Sequence, residues 1–118
     1  MEMNLEGRQS GEMIVIHCCG RIVYREEAVA IWRVVQQALQ YSQEVVLDFA
    51  QVEIVDSAGL GGLVVAHSLA AEQGKLLKIV SANRSVQELF ELTNLASVFE
   101  TYPNLSAALE TRIWAANA

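Results

Sequence analysis

The chain is poor in proline, cysteine, histidine and basic residues, and each shortage closes off a class of protein. A single proline among 118 residues, alongside seven glycines, excludes a proline-rich or collagen-like chain. The two cysteines, Cys18 and Cys19, are adjacent. On a strand they point to opposite faces, so a bond between them would distort the backbone. The expectation is one buried thiol and one on the other face. No CxxC pair and no zinc-ligand spacing exists, so no metal is expected. Eight Lys and Arg against fourteen Asp and Glu give a net charge of −6 with no basic stripe, which argues against a nucleic-acid partner. The longest apolar stretches break well before the roughly 20 residues that a bilayer span requires. The start Met1-Glu2-Met3-Asn4 has neither a basic nor an apolar region, so the expectation is a cytoplasmic protein without membrane insertion.

What is present is apolar. A hydrophobic content of 53% with 19% charged residues predicts one compact domain over residues 1–118, long enough to bury a core without staples. The chain is organised around residues 45–62. Val45-Val46-Leu47-Asp48-Phe49 is an apolar, β-branched run with the pattern of a strand buried on both faces. After a short connection, apolar and small residues run without proline to Ala71, which predicts a helix of about four turns. Asp56 or Ser57 supplies its N-cap, because a side-chain oxygen there accepts an N–H that the first turn leaves free. Gly59, Gly61 and Gly62 each weaken a helix by roughly 1 kcal/mol relative to Ala, so three of them early in this one call for close approach of another surface.

From the N-terminus, Leu5 and Met13 to Cys18 predict a hairpin joined through Gly7-Arg8-Gln9-Ser10-Gly11, with Gly20 closing the second strand and Ile22-Val23-Tyr24 either continuing it or bending toward Arg25-Glu26-Glu27. Ala28, Val29, Ile31, Trp32, Val35, Ala38 and Leu39 recur at the helical period, which predicts a helix from about Glu26 to Tyr41 docked on the sheet. Glu26 and Glu27 fall in its first turn, where the macrodipole favours negative charge, and need no catalytic explanation. Gly74 ends the helix that Ser57 begins, and Leu76 to Val80 follows as a buried strand. The resulting β-α-β unit, right-handed by default, puts the Ser57 turn at the carboxyl edge of parallel strands. Ser85-Val86-Gln87-Glu88 has the form of a capping box before Leu89, Phe90 and Leu92. Ser97-Val98-Phe99-Glu100 predicts a short edge strand, and Asn104 to Trp114 a terminal helix.

Three chemistries are open to the Ser57 turn. A serine hydrolase needs a base in hydrogen-bond reach of the nucleophile. His67 lies about 15 Å along the same helix, and His17 belongs to the hairpin, so neither serves. A phosphoacceptor-aspartate receiver would use Asp48, but the strand Ile14 to Cys19 ends without the acidic pair that holds magnesium, and no lysine follows the late strand. Asp48 reads instead as a strand-end residue bonded to the loop Ala50 to Glu53. His67 falls among Leu60, Leu63, Val64 and Ala71 and reads as a partly buried histidine. No enzyme activity, catalytic residue or cofactor is expected. The third chemistry is partner binding, with Val65 and Leu69 one turn apart on a face that a partner would touch.

Asp56-Ser57-Ala58-Gly59-Leu60-Gly61, behind a strand at this distance, resembles the signature of the STAS domain, the fold of bacterial anti-sigma-factor antagonists. The resemblance extends along the chain through Gly20-Arg21, the first helix, Leu47-Asp48, and Leu89-Phe90-Glu91-Leu92-Thr93-Asn94-Leu95 closed by Phe99. Ala58 stands where a second serine is common, and Val23 where an aspartate or asparagine often follows the Gly-Arg pair. The resemblance implies an α/β STAS-like fold, with a mixed sheet of about five strands, an N-terminal hairpin and about four helices. It implies phosphorylation of Ser57 by a serine kinase that doubles as anti-sigma factor, reversal by a metal-dependent serine phosphatase, and partner binding through Asp56, Ser57, Ala58, Gly59, Leu60, Gly61, Val65 and Leu69. A STAS domain can also be a docking subunit of a lipid transporter or a larger signalling assembly, without phosphorylation.

Overall fold

In the computed structural model, residues 3–110 are described. Strands β1 (Met3–Ser10) and β2 (Met13–Ile22) are followed by helix α1 (Tyr24–Leu39), β3 (Glu44–Val55), α2 (Ser57–Glu72), β4 (Leu76–Val80), α3 (Arg84–Leu92) and β5 (Glu100–Tyr102). Residues 105–110 form the start of a fourth helix, α4, and the part of it expected as far as Trp114 lies outside the described residues. The sheet runs β1-β2-β3-β4-β5 in sequence order, antiparallel between β1 and β2 and parallel thereafter. This is the mixed five-stranded sheet with an N-terminal hairpin that the sequence predicts. No helix of the described residues is long and apolar enough to cross a membrane.

Alternation along the strands builds two cores. Ile16, Cys18, Val45, Leu47, Phe49, Leu77 and Ile79 join Ile31, Val35, Leu39, Leu63, Ala66, Val86 and Phe90 in the main cluster. Met13, Val15, Val46 and Val80, on the opposite face, pack under Ala108 with Leu105 and Leu109. Both faces of β3 are therefore covered, which is why Val45 to Phe49 lacks a polar alternation. Cys18 is buried and Cys19 exposed, as the adjacent pair requires. Burial, and after it the charge of Asp48, pushes the Cys18 thiol up to about 12.

Several local expectations need correction. The hairpin turn is Gly11-Glu12, with Ser10 opposite Met13, so Gly7 to Ser10 are strand and, of the expected connection, Gly11 alone, at φ +62, lies in the turn. β2 continues past Gly20 to Ile22, one of the two courses open to that segment, and α1 starts at Tyr24, two residues before the expected Glu26. Glu27 is buried, with an Oε2 that has no hydrogen-bond partner, so the helix dipole alone does not account for it. β3 does not end at Phe49. It continues through the expected loop to Val55, beside Cys19 to Ile22 of β2. Two register shifts each place one extra β3 residue in the ladder, so burial recurs every third residue, at Phe49, Val52 and Val55. The bulges hide the period-two signal and make this half of the strand read as a loop. Asp48 is thus mid-strand, with Oδ1 accepting the N–H of Ala50 at 3.0 Å and Oδ2 2.8 Å from His17 Nδ1.

Later elements shift as well. α3 is capped by Asn83, whose Oδ1 accepts the N–H of Val86 at 2.9 Å, and Ser85 lies inside the helix instead of capping it. The edge strand is Glu100–Tyr102, after a turn that contains Ser97 and Val98. Gly74, at φ +66, does end α2: the N–H of Lys75 bonds Ala70 O and that of Gly74 bonds Ala71 O, the paired Schellman closure.

Candidate functional site

The buried side chain of Val55 fixes the end of β3, and Asp56 turns the chain into α2. Asp56 is the N-cap. Its Oδ1 accepts the N–H of Gly59 at 2.8 Å and its Oδ2 the N–H of Tyr24 at 3.0 Å, while its own N–H donates to Ile22 O at 3.3 Å. Partial burial works to raise the Asp56 carboxyl, but the backbone N–H groups of Gly59, Tyr24, Ala58 and Asp56 itself outweigh it and hold the group below its ordinary value. Asp56 is therefore an anion built into the turn.

Ser57 is the first helical residue, exposed, with the capping task already taken by Asp56. The glycines divide into two kinds. A Cβ on Gly59 would stand 2.0 Å from Ile22 O, and one on Gly62 would stand 2.6 Å from Ala28 O. These two let α2 lie against the β2–α1 corner of its own domain, so the close approach they permit is internal. Gly61 has nothing within 4 Å of its Cβ position and faces outward.

The predicted contact residues separate accordingly. Ser57, Gly61 and Val65 are exposed, Asp56, Ala58 and Leu69 half-buried, and Gly59 and Leu60 buried. Leu69 packs against the main core, so the outward face pairs Val65 with Val64. Sequence reasoning missed two further exposed apolar neighbours of the turn: Tyr24, whose N–H is bound by Asp56, and Ile54, two residues before it. Neither carries a signal in the sequence, because the left-handed backbone of Tyr24 (φ +66) and the bulged register at Ile54 are tertiary features. Asn83 adds a brace, its Nδ2 donating to Val52 O and Glu53 O at 3.1 Å each.

Neither histidine is engaged with the turn. His17 bonds Asp48, and the ring of His67 lies edge-on to Phe99, with centroids 5.9 Å apart. No group of three His, Cys, Asp or Glu able to hold a metal occurs among the described residues. The arrangement offers an exposed hydroxyl on a rigid turn, at the positive end of a helix and beside a fixed carboxylate.

A sequentially ordered sheet with an antiparallel first strand, and an Asp-Ser turn leading from its central strand into a glycine-bearing helix, defines the STAS class of α/β domain. The STAS domain family model matches residues 4–108, and the chain belongs to that family. A candidate anti-sigma factor antagonist of Thermotoga maritima is 31% identical over 67 residues, which are 57% of this chain and 59% of that protein. The chain thus spans less than two thirds of that curated relative. Among solved structures, an anti-sigma factor antagonist from Mycobacterium paratuberculosis superposes with a TM-score of 0.80, at 20% identity over 92% of each chain. The Bacillus cell fate determinant SpoIIAA in its phosphorylated form gives a TM-score of 0.68, at 13% identity over 92% of this chain and 98% of that one. These likenesses establish the fold.

Proposed function

We propose that this chain is an anti-sigma-factor antagonist working as a phosphoswitch in the cytoplasm: a single STAS interaction domain, not an enzyme, with Ser57 as its phosphoacceptor. Unphosphorylated, it binds a serine kinase that doubles as anti-sigma factor and so frees the sigma factor. Phosphorylated, it lets the kinase go, and a metal-dependent serine phosphatase restores it. The observation that carries the reading is the division of labour at the turn, where Asp56 caps α2 and leaves the exposed Ser57 hydroxyl with no structural duty. A Bacillus relative of the same fold is known in a phosphorylated form, which supports phosphoryl chemistry on this scaffold.

The electrostatics favour a switch that acts on binding and spares folding. A phosphate brings about −1.5 to −2 charges at pH 7. The positive end of α2 tolerates that charge within the domain. A partner laid over Ser57, Gly61 and Val65 would instead have to desolvate it together with Asp56 and the nearby exposed Glu53, at a cost in affinity. Incubation of the chain with its serine kinase and ATP, followed by mass spectrometry of the Ser57 peptide, tests the assignment. One phosphoryl group on Ser57 and none on Ser57→Ala is expected. An unmodified Ser57 peptide, in a sample where the kinase is active on itself, defeats the reading.

A further inference from the structure

Strand β1 lies at one edge of the sheet, and among the described residues no strand pairs with its outer side. Its ladder with β2 is continuous from Met3 opposite Gly20 to Ser10 opposite Met13, with no bulge and no proline. Eight residues of straight main chain are thus offered to a further strand, a feature that edge strands usually block. The remaining safeguard would be charge. Glu6 and Arg8 are both exposed, lie on the same face by the two-residue repeat, and flank Gly7, around which space is open. Neither is engaged in an ion pair with another described residue.

We propose that the outer edge of β1 pairs antiparallel with β1 of a second copy of this chain, with Gly7 opposite Gly7 of the partner subunit. A two-fold axis through that point sets Glu6 opposite Arg8 of the partner subunit and Arg8 opposite Glu6 of the partner subunit, an isologous contact satisfied twice. The charges also select this register. Pairing centred on residue 6 sets Glu6 against itself, and pairing centred on residue 8 sets Arg8 against itself. The pattern that would keep a foreign strand away is self-complementary. The dimer joins two five-stranded sheets into one and uses an edge that β2 separates from β3, the strand leading to Ser57. It is therefore independent of the phosphoswitch.

Sedimentation equilibrium of the purified chain over a range of concentrations tests this, with circular dichroism to check the fold of each variant. Wild type should show a reversible monomer–dimer equilibrium. Glu6→Arg and Arg8→Glu, which set like charges opposite each other at two symmetric positions, should each weaken dimerisation by about tenfold or more. The double variant Glu6→Arg/Arg8→Glu restores opposite charges in the same register and should recover the wild-type constant. If a reversal unfolds the chain, Glu6→Gln and Arg8→Gln carry the comparison, each with a smaller loss. A wild type that stays monomeric at its highest soluble concentration overturns the proposal. So does a dimer indifferent to the single changes, or single losses that the double variant does not repair.

Discussion

Asp56 Oδ2 accepts the backbone N–H of Tyr24 at 3.0 Å, so the carboxylate that caps α2 also holds the first turn of α1. Two helix starts that are far apart in sequence depend on one side chain. The turn bearing Ser57 is tied to the start of α1 by this link.

Asp56→Ala removes both bonds, and a loss of about 1–2 kcal/mol in urea unfolding is expected. The folded carboxyl titrates below its ordinary value, so its stabilisation is fully present above the unfolded pKa and fades as pH falls through the lower folded one. Asp56→Asn keeps an acceptor for Gly59 but does not titrate. The stability gap between wild type and Asp56→Asn should therefore narrow in acid, and a gap that stays constant from neutral pH to below about 3 would contradict the role given to the charge.

The glycines of α2 should respond oppositely to one methyl group. Gly61→Ala meets open space and gains helix propensity, for a stabilisation of roughly 1 kcal/mol. Gly59→Ala drives its Cβ to 2.0 Å from a backbone oxygen of Ile22, so the helix must move or the fold is lost. Comparison of the melting temperatures of the two variants decides the point, and equal tolerance would show that α2 does not sit on Ile22 as described.

Lys78 and Glu44 form an ion pair that no local pattern announces, 2% and 5% exposed with Nζ and Oε1 2.6 Å apart. Lys78 Nζ also donates to Ala108 O at 3.3 Å, which ties the sheet to α4. Lys78→Met should cost about 3–5 kcal/mol by leaving Glu44 without its cation. Lys78→Met/Glu44→Leu should recover much of that loss. A double variant no more stable than the single would mean that the lost charge is not the cause.

For Ser57 the structure lowers the expected cost of substitution. A serine that capped the helix would cost about 1 kcal/mol on truncation. Because Asp56 caps instead, Ser57→Ala and Ser57→Asp should each change stability by no more than about 0.5 kcal/mol. Ser57→Asp should bind the kinase weakly, Ser57→Ala should bind constitutively, and Val65→Glu should bind weakly with an intact fold, since Val65 is 41% exposed. Calorimetry with the kinase, beside thermal melts, reads both effects. Tight binding by Ser57→Asp sinks the switch.

The amino-acid sequence by itself determined the strands and helices whose signals are local. The apolar run from Val45 to Phe49, the helical repeat from Ala28 to Leu39, the stop at Gly74 and the Asp-Ser start of α2 all follow from side chains within a few residues of one another, and the STAS signature lies in the same short window. Tertiary structure decided what depends on partners far along the chain. The second half of β3 exists because bulges against β2 displace its burial pattern, and Asn83 outcompetes Ser85 as a cap while also bracing β3. Which glycine faces open space and which faces Ile22 depends on where α2 lies on the sheet. Whether Lys78 is buried depends on Glu44 and Ala108, about thirty residues away on either side. Local propensity specifies elements, but register, burial and charge pairing are properties of the assembled sheet, and only the fold brings those residues together.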